Sequence, residues 1–296
     1  MTRREACDRR GCSTPPFTLN QVALPFVPSD AAVLCLQAAV VVAPRRPPRL
    51  AIAERIRGPA WALVPIASIV LVVFGIRFLS DTATGLTYLA VVAIPPLAAA
   101  ALGWAARGAR PVAAIGAAAL FAVAWAAHRT LVGEAAAALL SALSCVTLGV
   151  LLAAVTPPRW LKLGIVAMAC ADTWLVVSDL LQAPNASLVA AHPVGGLPQL
   201  QSVLFGSVSF GYGDLFVAAL LGAVLASERR RQWGAALLTL VFAALFDLLF
   251  LVLNELPATV PVALALIAVE AWPRGRKFSV GRSRSTPAGA IPRPAK

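Results

Sequence analysis

The stretch SVSFGYGDLFVAALLGAVLASERRR, residues 207–231, decides how the rest of the chain is read. Its first part, 207–227, carries one charged residue, Asp214, over about the 20 residues a helix needs to cross a hydrocarbon core. Three consecutive arginines, Arg229, Arg230 and Arg231, then close it, as basic residues close membrane spans on the cytoplasmic side. A carboxyl group inside such a span is costly in lipid, so the segment predicts both a bilayer and a task for Asp214.

Outward from this stretch the same apolar pattern recurs. Spans are expected at approximately 60–79, 84–106, 110–127, 135–155, 161–181, 207–227, 233–253 and 256–272, about eight in all. With 59% hydrophobic and 13% charged residues, so long a chain cannot build a water-soluble surface, which excludes a soluble multi-domain protein. The expected fold class is all-α, a polytopic helical membrane protein.

Four regions follow along the chain. Residues 1–58 form a basic Pro/Arg-rich arm, expected to be cytoplasmic and disordered; its apolar run at 31–42 is too short to span a bilayer alone. Whether that run adds a ninth membrane segment is open at this point. Residues 59–156 make an amino-terminal four-helix membrane region, and 157–272 a second one that contains the membrane aspartates. A basic tail without periodicity, 273–296, is expected to be disordered.

The net charge of +12 is a matter of topology. Its arginines sit in the tails and in short loops between apolar segments, which excludes a nucleic-acid footprint. Arg55 and Arg57, Arg107 and Arg110, Arg159 and Lys162, the triplet at Arg229, and Arg274, Arg276 and Lys277 all fall on one side of an eight-span chain with both termini cytoplasmic. The Arg- and Ala-rich composition points to a GC-rich bacterial genome, hence to a bacterial plasma membrane. Cys7, Cys12, Cys35, Cys145 and Cys170 form no CxxC pair and have no histidine beside them, so neither a metal site nor a redox motif is expected.

Four aspartates fall inside expected spans: Asp172, Asp179, Asp214 and Asp247. At about 1.5 Å per residue, Asp172 lies roughly 15 Å and Asp214 roughly 10–12 Å below the same membrane face, on consecutive antiparallel helices. Asp179 shares a helical face with Asp172 but sits two turns higher, where a solvated helix end is the simpler reading. Asp247 is read as structural, and His128 and His192 as solvated loop residues. Two carboxyls at matched depth are what aspartyl hydrolysis requires: at close range they share one proton, so one can act as base toward water while the other polarises a carbonyl.

Gly211-Tyr212-Gly213-Asp214 resembles the GxGD signature of presenilins and signal peptide peptidases. The first aspartate of that family lies one helix earlier, as Asp172 does here, although Ala171 stands where the family often has Tyr. The family's Pro-Ala-Leu turn is matched by Pro257-Ala258-Thr259, with Thr259 departing from Leu. The resemblance covers roughly 160–272. It implies an intramembrane aspartyl endopeptidase with catalytic Asp172 and Asp214, and with Gly211, Tyr212, Gly213, Pro257, Ala258 and Thr259 positioning the substrate. It further implies water as the attacking species, with neither metal nor organic cofactor. The partners implied are a transmembrane peptide or protein substrate and the lipid bilayer; no nucleic acid is implied, and accessory subunits are left open.

Three alternatives stand beside this one. Prepilin peptidases also carry GxGD, and Asp179-Leu180 with Pro184-Asn185 is similar to one of their stretches, but Phe216 replaces the basic residue that normally follows their motif. A proton-coupled transporter would use Asp172, Asp214 and Asp247 as proton carriers around a helix broken at Gly211 and Gly213. An inactive family member would keep the fold alone.

Overall fold

A computed structural model of the chain describes residues 24–46, 51–78, 82–178, 180, 182–191, 193–251 and 256–271. Residues 1–23 and 47–50 of the amino-terminal arm, the carboxyl tail, Asp179 and His192 lie outside the described residues, and the expectations placed on them lie there too. The described chain is helical: α1 Phe26–Val42, α2 Ala51–Ile56, α3 Val64–Phe78, α4 Thr82–Ala100, α5 Ile115–Ala126, α6 Leu131–Val155, α7 Pro158–Val177, α8 Gln182–Ala190, α9 Tyr212–Leu225, α10 Arg229–Asp247 and α11 Thr259–Ala271. Four segments are long and apolar enough to cross a membrane: Pro59–Ile76, Thr82–Ala105, Leu131–Val155 and Pro158–Val177. Shorter apolar helices are Phe26–Val42, Pro111–Ala126, Tyr212–Leu225 and Thr259–Ala271.

Local chemistry sets several of these boundaries. Thr130 caps α6 by accepting the Gly133 N–H on its hydroxyl, which satisfies one of the unpaired donors of a helix start. Pro158 opens α7 at a position where its missing N–H costs nothing. The span expected at 207–227 begins only at Tyr212, because the residues before it form an antiparallel hairpin. Strand β1, Ser202–Phe205, pairs with β2, Val208–Gly211, in the register Ser202↔Gly211 to Phe205↔Val208. Gly206, at φ 59°, supplies the positive dihedral that a two-residue hairpin turn demands.

Helices α6 and α9 share the most extensive interface of the bundle, and α9 is its axis. Leu215, Val217, Ala218, Ala219, Leu220 and Leu221 are each at most 1% exposed. Helix α6 also packs against α4 and α5, while α11 lies between α7 and α10. Packing therefore crosses the division drawn at residue 156.

Helix α1 departs from the expectation of a disordered arm over 1–58. It extends the apolar run backwards through Asp30, Ser29 and Pro28 to Phe26, giving 17 residues, about 25 Å of helix. Its buried face includes Ser29, Val33, Gln37 and Val41, spaced one turn apart. The polar members are satisfied by neighbours, so their burial is tolerated. The Ser29 hydroxyl donates to the Pro25 carbonyl at 3.1 Å, and Gln37 Nε2 donates to the Ala258 carbonyl at 3.2 Å.

At its far end α1 is held by a polar clasp. Gln232 of α10, fully buried, donates from Nε2 to the carbonyls of Val41 (2.9 Å), Pro44 (3.0 Å) and Gly222 (3.1 Å). Its Oε1 accepts from Arg107, which also donates to the Ala226 carbonyl. Gly222 permits this approach: a Cβ there would sit 2.2 Å from the Val41 carbonyl oxygen. Ser29 meets the hairpin turn, with the Ser207 N–H donating to its hydroxyl at 3.4 Å. Helix α1 thus runs the length of the bundle, from the hairpin end to the arginine end.

Candidate functional site

Asp214 lies in the first turn of α9, three residues after the end of β2. Gly211 is the N-cap in extended geometry, so Asp214 is the third helical residue, the position of the acidic residue in a capping box, and its carboxyl folds back beside Gly211. This gives the first glycine of the motif a steric reason: a Cβ at 211 would lie 2.7 Å from Asp214 Oδ2. The second glycine serves space instead. A Cβ built on Gly213 would meet no heavy atom within 4 Å, because Gly213 borders a cavity of about 670 Å³.

Tyr212 stands between them, with its hydroxyl 2.8 Å from Ser144 Oγ of α6. Ser144 in turn donates to the Ser141 carbonyl, and the Ser141 hydroxyl donates to Leu200 just before the hairpin. A ladder of small polar side chains on α6 therefore holds both the GxGD turn and the hairpin. Ser141 and Ser144 were not among the expected site residues. Their signal was a pair of hydroxyls one turn apart in an otherwise apolar span.

Asp172 comes from α7, which packs against both α9 and α11. Its Oδ2 accepts the Thr259 hydroxyl at 2.6 Å. Thr259 opens α11 directly after the Pro257-Ala258 turn and is 4% exposed. The carbonyl of Ala258 is the one gripped by Gln37. Asp172 and Asp214 are near enough for their charges to interact, and both are partly accessible.

The other expected residues separate clearly. Asp247 ends α10 beside Asp30 of α1, the carboxyl with which it interacts, away from the Asp172–Asp214 pair. His128 is exposed, its Nδ1 2.9 Å from the Trp125 carbonyl. Cys35, Cys145 and Cys170 are free thiols. Among the described residues no three or more His, Cys, Asp or Glu side chains cluster as metal ligands would.

The cavity is walled by α6, α7 and α9 on one side and by the segment from Ala53 to Ile69 on the other. Leu148, Leu152, Met168, Phe216, Trp61 and Ile69 make it apolar, with the hydroxyls of Ser68 and Tyr212 among the few polar groups. The arrangement offers two interacting carboxyls, a strand that runs into one of them, and an apolar chamber at the intervening glycine. No protein family profile, no characterised protein and no solved structure matches this chain.

Proposed function

We propose that the protein is an intramembrane aspartyl endopeptidase of the GxGD type, cutting a transmembrane segment with Asp172 and Asp214 as its dyad. What supports this is that these two carboxyls, from different helices, are near enough for their charges to interact, while Gly213, next to Asp214, borders the apolar cavity. A substrate helix must first unwind, because helical backbone hides its carbonyls in hydrogen bonds. Strand β2 leads straight into Asp214, and a hairpin of two strands has an unpaired edge on each, so an extended substrate has a backbone template there.

Hydrolysis needs one proton shared by the pair. The water oxygen adds to the scissile carbonyl carbon as its proton passes to the ionised carboxyl, while the protonated carboxyl gives its proton to the carbonyl oxygen. Collapse of the resulting diol breaks the C–N bond. The newly protonated acid supplies the amine nitrogen, and the diol returns a proton to the other aspartate.

In this proposal the shorter apolar helices and α10 also span, with α1 as a ninth crossing. A presenilin-like arrangement of nine helices then starts α1 on the side opposite to the end of α11, in contrast to the expectation that both termini are cytoplasmic. The supporting observation is that α1 joins the hairpin end to the arginine end. Labelling of a cysteine added at the amino terminus of intact cells, in a background without Cys7 and Cys12, should succeed with a membrane-impermeant reagent. Labelling only after permeabilisation returns the amino terminus to the cytoplasm.

The activity is tested in proteoliposomes with a reporter transmembrane substrate. Asp172→Asn and Asp214→Asn should each lower cleavage by roughly a hundredfold to ten-thousandfold, the span that general acid–base catalysis supplies. Both variants should insert at wild-type levels. Cleavage retained in either one overturns the assignment.

A further inference from the structure

We infer, on the protease reading, that Thr259 is the positioning residue that makes Asp172 the base of the dyad and leaves the shared proton on Asp214. The resemblance assigned Thr259 to substrate. Its environment assigns it elsewhere: the residue is 4% exposed, and its hydroxyl is already committed to Asp172 Oδ2 at 2.6 Å.

Donor counting decides where the proton rests. A hydroxyl that donates its hydrogen to a carboxyl oxygen stabilises the ionised carboxylate more than the neutral acid. Asp172 accepts a hydroxyl hydrogen bond from Thr259 at 2.6 Å. Asp214 instead faces the backbone of Gly211. Hydrogen bonds to a carboxylate favour its ionised form, so in a pair that shares one proton the better-supplied member is the anion. The other charged groups on α7 and α11 are Arg159, at the start of α7, and Lys162 and Glu270, which pair with each other at 2.7 Å near the arginine end.

The donor is also held in place. Thr259 is fixed by the turn before it, whose Ala258 carbonyl accepts from Gln37 Nε2, itself 1% exposed. Helix α1 therefore reaches the dyad through one backbone carbonyl and one hydroxyl. A leucine at 259, as in the Pro-Ala-Leu pattern, would offer no hydroxyl. The base role is thus written into this chain by a residue where it departs from the pattern it resembles.

The test uses the full-length protein in proteoliposomes. Thr259→Val removes the hydroxyl at constant shape, Thr259→Ala removes it with less bulk should valine fail to accumulate, and Thr259→Ser restores it. The expected result is a loss of about tenfold to a hundredfold in kcat, the range implied by one hydrogen bond to a charged group, with KM unchanged. The serine variant should recover most of it. A rise in KM at constant kcat would return Thr259 to substrate contact, and kcat within twofold of wild type would remove its role; either overturns the inference. Infrared difference spectroscopy at neutral pH reads the proton without turnover. The protonated carboxyl band should vanish in Asp214→Asn and persist in Asp172→Asn; the reverse also overturns the inference. If wild type cleaves nothing while the infrared result holds, the protease reading fails and the assignment of the proton survives.

Discussion

The segment Pro59–Ile76 and helix α6, Leu131–Val155, are almost equally apolar, yet the first is 11% buried and the second 67%. Hydropathy therefore says nothing here about who packs against whom. In lipid there is no gain in hiding one apolar side chain behind another, so association follows close fit and polar contacts between helices. Helix α6 has these: Thr147 donates to the Leu97 carbonyl of α4 at 2.7 Å, Ser144 Oγ lies 2.8 Å from the Tyr212 hydroxyl of α9, and Ser141 donates to the Leu200 carbonyl before the hairpin. Along α3, Val70, Leu71, Phe74 and Phe78 are exposed. The segment from Ala53 to Ile69, which leads into and begins α3, is also the loosely attached wall of the cavity. The packed half of the molecule holds the carboxyls, and the unpacked half is the side by which a substrate helix would come in under the proposed function.

The contrast is broken most severely at Gly222. Valine there drives a side chain into the Val41 carbonyl, which should detach α1 and cost about 1–3 kcal/mol, read as a lower thermal midpoint in detergent. An unchanged midpoint would mean that α1 contributes nothing to the bundle. A smaller effect is expected on α6. Ser144→Ala should cost about 0.6–1.7 kcal/mol, the range for a hydrogen bond between membrane helices, and Tyr212→Phe should add little on top of it. Additive losses would show that the two hydroxyls act separately. The smallest effect belongs to α3: Leu71→Ala, at 75% exposure, should move stability by no more than about 0.5 kcal/mol. A loss as large as that of Ser144→Ala would place Leu71 against protein rather than lipid.

Much of the helical plan was legible in the sequence, because repeated uncharged runs near span length seldom arise in chains that fold in water. The nearness of Asp172 and Asp214 was legible too, since matched depth and order along the chain bring the two charges within reach of each other without knowledge of packing. Helix α1 was not. Ser29, Asp30 and Gln37 lower its apolar score, and the groups that satisfy Gln37 and clasp Val41 come from Ala258, Gly222 and Gln232, far along the chain. The hairpin was hidden for a different reason: Val208 and Phe210 read as the start of a span, although Gly206-Ser207 between two apolar runs is a turn signal. Thr259 was visible as a departure from Leu, but its meaning needed the partner on α7.

The clasp on α1 carries a lesson about biosynthesis. Gln37 is made 221 residues before the carbonyl that satisfies it. At ~5–20 residues per second, that is roughly 10–45 s during which α1 has left the ribosome with a buried-type amide and no partner. Insertion into the bilayer cannot complete this helix; only the arrival of α10 and α11 can. The helices around Asp172 and Asp214 therefore finish folding in the same event that secures the first helix, and a nascent chain halted before Gln232 should be handled by the cell as unfolded, however well its early spans are inserted.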